Sequence, residues 1–154
     1  MPQIEEKLKQ IGYELPPPLP PGGNYVPAVR TGNLVFLAGV VSKRADGSTI
    51  VGKLGRDLTI DEGYEAARLC ALNLLSNLKQ ELGDLDKIKR IVKLLAMVNS
   101  DPEFPSPPAV ANGCSDLFVE LFGDKGKHSR SAVGLATLPN GVAVEIEAIV
   151  EVED

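Results

Sequence analysis

Tryptophan is absent from this chain of 154 residues, histidine occurs once, and cysteine and methionine occur twice each. One histidine and no Cys-x-x-Cys pair argue against a dedicated zinc site, which needs four clustered donors. Cys70 and Cys114 both fall in helical patterns and are too few for a disulfide framework. They read as buried free thiols of a cytoplasmic protein. Aromatic residues are scarce, with four Phe and three Tyr, so no base-stacking cluster forms. Basic residues are outnumbered by acidic ones, 16 to 21, for a net charge of −5. Phosphate binding needs clustered Lys and Arg, so nucleic acid is disfavoured as a partner. No apolar run approaches a membrane span. The segment Met1–Lys7 is charged and lacks the apolar core of a secretory signal. These absences do not limit the core. A chain of this length buries about 68–70% of its unfolded surface without staples.

Proline and glycine are plentiful, at 12 and 15 residues, and they punctuate the chain. Pro16-Pro17-Pro18-Leu19-Pro20-Pro21 is extended polyproline, with too few backbone donors for a central strand. Before it, Ile4, Leu8 and Ile11 line one side of a short helix over residues 3–11. Residues 1–23 are therefore assigned as a helix and strap, and residues 24–154 as the domain. Tyr25 to Arg30 and Leu34 to Val41 read as strands around Thr31-Gly32-Asn33. Thr59-Ile60-Asp61-Glu62 is a capping box that opens a helix ending near Leu82, with Gly83 as its stop. Ile88 to Val98 is β-rich. Ser106, with Pro107 and Pro108 behind it, opens a second helix that ends at Gly123. The order β-β-helix-β-helix-β-β predicts an α+β sheet with both helices on one face.

Chemistry concentrates near the C-terminus. His128-Ser129-Arg130-Ser131-Ala132-Val133-Gly134 runs through Leu138-Pro139-Asn140-Gly141 to Val144-Glu145-Ile146-Glu147. Asn-Gly between alternating runs signals a hairpin, because a type I′ turn needs positive φ at both central residues. The predicted register puts Val133, Leu135, Val144, Ile146, Ala148 and Val150 on a core face. Arg130, Ala132, Gly134, Ala136, Glu145, Glu147 and Glu151 fall on the other. Small residues beside charges suit a crowded interface or a ligand site, and copies of the chain are expected to cover that face. In this register Arg130 and Glu145 stand about six residues, roughly 20 Å, apart. They can share a small ligand only if a neighbouring subunit supplies one of them.

The block Arg130-Ser131-x-Val133, Leu138-Pro139 and Val144-Glu145-Ile146-Glu147-Ala148 resembles the Rid family, the reactive intermediate deaminases, also called YjgF-like or endoribonuclease L-PSP-like proteins. Gly32 to Gly39 and the stretch Asn73-Leu74-Leu75 through Gly83-Asp84-Leu85-Asp86-Lys87-Ile88 extend the likeness. The resemblance implies a chorismate-mutase-like fold, a homotrimer with intersubunit clefts, and cofactor-free, metal-free hydrolysis of 2-imino or enamine acids to 2-oxo acids and ammonia. It assigns Arg130 to the substrate carboxylate and Glu145 to the attacking water. Tyr25, Ala38, Gly39 and Ala132 fall at family cleft positions. Two positions depart from the pattern. Ala38-Gly39-Val40 stands where the family commonly has Ser-Gly-Gln, and Ala132 where it often has cysteine.

Plainer roles stand beside these. Arg130 can form an interface ion pair, Glu145 can belong to a solvated row with Glu147, Glu151 and Glu153, and Tyr25 can pack under the strap. His128 reads as a loop residue able to tune the cleft, and Gly123 to His128 as a flexible connection. Three activities follow. The first is a deaminase anchoring its substrate on Arg130. The second is a non-catalytic binder of small carboxylates such as 2-oxo acids. The third is an endoribonuclease, which the acidic charge disfavours.

Overall fold

A computed structural model describes residues 2–154; Met1, the first residue of the predicted helix-and-strap segment 1–23, lies outside them. The capping box forms as its residue types dictate. Thr59 Oγ1 accepts from the Glu62 amide at 3.2 Å, and the Glu62 carboxylate accepts from the Thr59 amide at 3.0 Å. This starts the long helix α2 (Ile60–Leu82), which Gly83 ends in a left-handed conformation with φ 81°. Thr59→Ala removes one acceptor and is expected to cost about 1 kcal/mol, read as a lower urea midpoint at unchanged m-value.

A shorter helix, α1 (Gln3–Gln10), lies over the domain. Its first turn has no cap of its own. Instead the Asp86 carboxylate accepts from the Gln3 and Ile4 amides at 2.8 and 2.9 Å, placing negative charge at the positive end of the helix. Leu8 is buried in the common core. Ser76 of α2 donates to the Pro16 carbonyl at 2.6 Å, and Arg68 lies over the rings of Tyr13 and Tyr64. The third helix, α3 (Pro107–Phe122), crosses α2 at Gly113, whose bare Cα lies against the Tyr64 carbonyl. Cys70 and Cys114 are buried free thiols in α2 and α3. No helix is long and apolar enough to cross a membrane among the described residues.

The strands are β1 (Ala28–Thr31), β2 (Leu34–Val41), β3 (Ile88–Asn99), β4 (Ser129–Leu135) and β5 (Val144–Val152). Their order across the sheet is β1-β2-β5-β3-β4. All pairs are antiparallel except β3 with β4. This matches the mostly antiparallel α+β fold expected, with α2 and α3 on one face.

The C-terminal hairpin does not form. β3 lies between β4 and β5. The local turn is nevertheless there: Asn140 and Gly141 have φ of 55° and 71°, and the Val142 amide donates to the Pro139 carbonyl. The strands on either side of it part company. The crossover through α3 lets β4 pair in parallel with β3, a pairing a two-residue turn cannot produce. The chain then returns, and β5 fills the slot between β2 and β3.

The faces change accordingly. Leu94 of β3 aligns with Arg130 on one side and Ala148 on the other, so Arg130 shares the helix-covered face. Ala132 and Gly134 follow it. Met97 aligns with Val133 and Glu145, which share the open face. Val133 therefore leaves the predicted core face, and Arg130, Ala132 and Gly134 leave the predicted interface face. Val29, Phe36 and Val133 are 54%, 42% and 40% exposed, leaving the open face unusually apolar.

Candidate functional site

Arg130 stands on an edge strand with its guanidinium turned toward α3. Its Nη1 donates to Asn112 Oδ1 at 2.8 Å and to Ser115 Oγ at 3.1 Å. Asn112 and Ser115 are three residues apart on the helix, so both side chains reach the same spot. Nη1 is thereby occupied. Nε and Nη2, which form the side-on fork that grips a carboxylate, make no hydrogen bond among the described residues.

His128 sits directly behind. Its Nδ1 is 2.6 Å from the Gly126 carbonyl, which can only accept, so Nδ1 carries the proton in the neutral ring. Nε2 is then an acceptor, and the Ser115 hydroxyl donates to it at 2.8 Å. Burial lowers the His128 pKa below 6.5; the Gly126 bond opposes this, and the charge of Arg130 adds to it. The ring meets Phe118 edge-on at 6.4 Å. Burial pushes the Cys114 thiol far up, so it stays protonated. The connection from Gly123 to His128, predicted to be flexible, is a short 3₁₀ turn. Gly126 is buried in it, and a Cβ there would strike the Phe118 carbonyl.

Glu145 is on the open face of β5. Opposite it, β2 shifts register between Leu37 and Val40, at Ala38-Gly39. The Glu145 carboxylate occupies the space that a Cβ on Gly39 would need, so a side chain there would push the carboxylate out of this position. Burial, and secondarily the charge of Glu147, raise the Glu145 pKa above 4.5. Ala38 donates its amide to the Pro27 carbonyl at 3.0 Å, tying β2 to the segment that carries Tyr25. Tyr25 is half exposed, and its hydroxyl accepts from the Gly22 amide at 3.0 Å. Ala132 packs against the core.

The expected site residues thus form two groups. Tyr25, Ala38, Gly39 and Glu145 lie toward the β1–β2 side. Arg130 and Ala132 lie on the β4 edge and the opposite face. Arg130 and Glu145 are offset by about three residues along β3 and by two strand spacings, roughly 14 Å in all. This replaces the predicted six-residue offset. Asn112 and Ser115 did not stand out in the sequence; the available signal was a pair of polar residues at helical spacing, bordering the stripe of Val110, Cys114 and Phe118. A shallow cavity of about 350 Å³ also opens on the sheet's free face, between Phe36, Leu95, Ile149, Glu147 and the Lys93–Ser131 pair. No group of three or more metal-ligating side chains occurs among the described residues.

The family described as YjgF/chorismate mutase-like, putative endoribonuclease, matches residues 5–146. Protein TCP17 of Trypanosoma cruzi is 44% identical over 153 residues, covering 99% of this chain and 96% of that protein. The crystal structure of Atu1372 from Agrobacterium tumefaciens superposes with a TM-score of 0.91 at 41% identity, covering 99% of this chain and 93% of that one. A Shewanella oneidensis structure described as a putative endoribonuclease gives a TM-score of 0.94 at 33% identity, with 97% and 99% covered.

Proposed function

The chain belongs to the YjgF, or Rid, family, and on that premise we propose that it hydrolyses reactive 2-imino and enamine acids, such as 2-aminoacrylate, to 2-oxo acids and ammonia. The observation that carries this reading is the state of Arg130: one nitrogen is locked to α3, and a two-donor edge is left free for a carboxylate. A 2-imino acid offers that carboxylate next to its electrophilic carbon. The fork fixes orientation as well as charge, which a lysine would not do.

Glu145 supplies the other half of the chemistry. Its carboxylate takes a proton from water as the oxygen attacks the imine carbon and returns it to the nitrogen, giving a carbinolamine; the carboxylate then moves the hydroxyl proton to the amine, and the C–N bond breaks to release ammonia and the 2-oxo acid. No cofactor is needed, since the imine is already electrophilic. A raised carboxylate pKa brings this base closer to working pH.

Within one chain Arg130 and Glu145 are too far apart, and on opposite faces, to meet on one small substrate. The two groups therefore work together across a contact between copies, the β4 edge of one against the β1–β2 side of the next. Such a head-to-tail contact joins unlike surfaces and forms a ring when its rotation closes. A homotrimer with intersubunit clefts fits both this geometry and the family. One observation favours a second reading, binding without turnover: Ala38 brings no hydroxyl to the Gly39–Glu145 contact.

The test is a coupled assay in which a PLP-dependent dehydratase generates 2-aminoacrylate and imine loss is followed. Wild type is expected to accelerate it. Because Glu145 must be ionised to act as base, kcat falls as pH drops through a value above 4.5, and Glu145→Gln loses that acid limb. A folded oligomer that leaves the rate unchanged rejects the deaminase for this substrate and favours the binder.

A further inference from the structure

Behind Arg130 the structure holds a chain of hydrogen bonds that ends on the single histidine. We propose that Ser115 and His128 are positioning residues for Arg130: the neutral imidazole accepts a hydrogen bond from the Ser115 hydroxyl, the hydroxyl turns its lone pairs to Nη1, and protonation of His128 breaks the arrangement and weakens carboxylate binding. The inference rests on the carboxylate-binding role of Arg130 given above.

Nδ1 is committed to the Gly126 carbonyl, so any added proton must go to Nε2. Nε2 then becomes a donor aimed at Ser115 Oγ, which already receives a donor from Arg130. The serine hydrogen loses its acceptor, and two cations share one hydroxyl oxygen. Repulsion between the two cations weakens the Ser115 bond, so the guanidinium is held mainly by Asn112 and its orientation loosens. The fork then no longer faces its ligand. The added positive charge lies on the far side of the guanidinium from the bound carboxylate, so solvent screening reduces its attraction. Loss of orientation outweighs it.

The surroundings of His128 support this. From α3 it meets Ser115 and the Phe118 ring; Asp116, on the same helix, is engaged elsewhere by the Tyr64 hydroxyl at 2.7 Å, and Glu120 is exposed. On its own turn, Lys127 pairs with Asp124 in solvent and Lys125 is exposed. From β3, Arg90 bonds the Lys127 carbonyl. From β4 comes Arg130, the charge that acts on the ring. A base whose folded pKa lies below its unfolded value favours the folded state above 6.5. That contribution fades as pH falls through 6.5 toward the folded value, so acid loosens this corner.

The experiment uses the whole protein, with pyruvate as the carboxylate and proton NMR of the single histidine as the second readout. Without ligand, Arg130→Gln is expected to raise the His128 pKa by removing a cation. With pyruvate, wild-type Kd rises from its pH 8 value as pH falls through the His128 pKa read by NMR, by up to about tenfold, the effect of one charge-assisted bond. By reciprocity, saturating pyruvate lowers the His128 pKa. Ser115→Ala binds weakly at both pH values. His128→Gln, which keeps an acceptor but cannot titrate, shows the same Kd at pH 8 and pH 5.5; His128→Asn serves if glutamine does not fit. A pyruvate-induced rise in the His128 pKa, or a pH dependence that survives in His128→Gln, overturns the positioning role alone. Absence of pyruvate binding by wild type at pH 8 overturns the carboxylate site itself.

Discussion

Arg130→Ala is expected to return 2-aminoacrylate hydrolysis to its uncatalysed rate. The variant loses both free donors of the fork, and each hydrogen bond to a charged partner contributes about 1.5–3 kcal/mol. Together they amount to roughly 10²–10⁴ in kcat/KM, enough to erase acceleration over a reaction that is already fast without an enzyme. Arg130→Lys keeps the charge but loses the planar fork, so it retains some binding with poorer orientation. The coupled assay reads both variants, with kcat and KM separated. Folding is expected to survive. Asn112 is exposed and Ser115 half-buried, so water can replace the lost donor on both. An Arg130→Ala protein that still accelerates the reaction would show that the carboxylate is held elsewhere.

Gly113→Ala is expected to cost about 3 kcal/mol or more of stability, above the usual range for one added methyl in a packed interior. The reason is what the methyl meets. It would be driven into the Tyr64 carbonyl, with the Ala67 methyl close behind. A backbone carbonyl inside a helix cannot rotate aside like a side chain. Relief requires α2 and α3 to separate along their contact, which loosens Ala67, Ala71 and Val110 as well. For a domain of this size, 3 kcal/mol lowers Tm by about 6–12 °C. Thermal unfolding followed by circular dichroism reads it directly. Gly83→Ala is a useful contrast. There the strain is a left-handed φ of 81° with open space around it, so the cost comes from backbone conformation and not collision.

Local signals in the sequence translated well. The Thr59–Glu62 box, the Gly83 stop, the prolines after Ser106 and the turn at Gly32 each depend on a few neighbouring residues, and each appears in the structure. The Asn140-Gly141 turn also formed with the backbone angles expected of it. What it could not convey was which strands would pair, because pairing is a competition among all strands in the chain. β3, buried along Ile91, Leu94, Ala96 and Val98, offers β4 and β5 an apolar partner on each edge, and it prevailed over the hairpin. The strand–helix–strand run from Ile88 to Leu135 was the cue, since a sixteen-residue helix between strands is long enough for a parallel crossover. The candidate site was legible as residue types, Arg130 and Glu145 above all. Its geometry was not, because the face each strand presents follows from its neighbours. Asn112 and Ser115 became visible only once β4 was brought beside α3.

The place of β5 bears on how the protein is made. It pairs with β2 on one side and β3 on the other, and it follows every element it joins. As the chain leaves the ribosome, the β1–β2 pair and the β3–α3–β4 unit can each assemble, yet no direct pairing links one to the other. Until Val144–Val152 emerges, both present an unpaired strand edge to solvent or to one another. The nascent protein thus waits as two incomplete halves, and its final strand acts as a bolt that turns them into one sheet. Long-range closure of this kind slows folding and lengthens exposure to aggregation. A chain whose emergence stops just short of Val144 should therefore be bound by chaperones and cut by proteases, whereas emergence of Val144–Val152 into solvent should protect the whole of it.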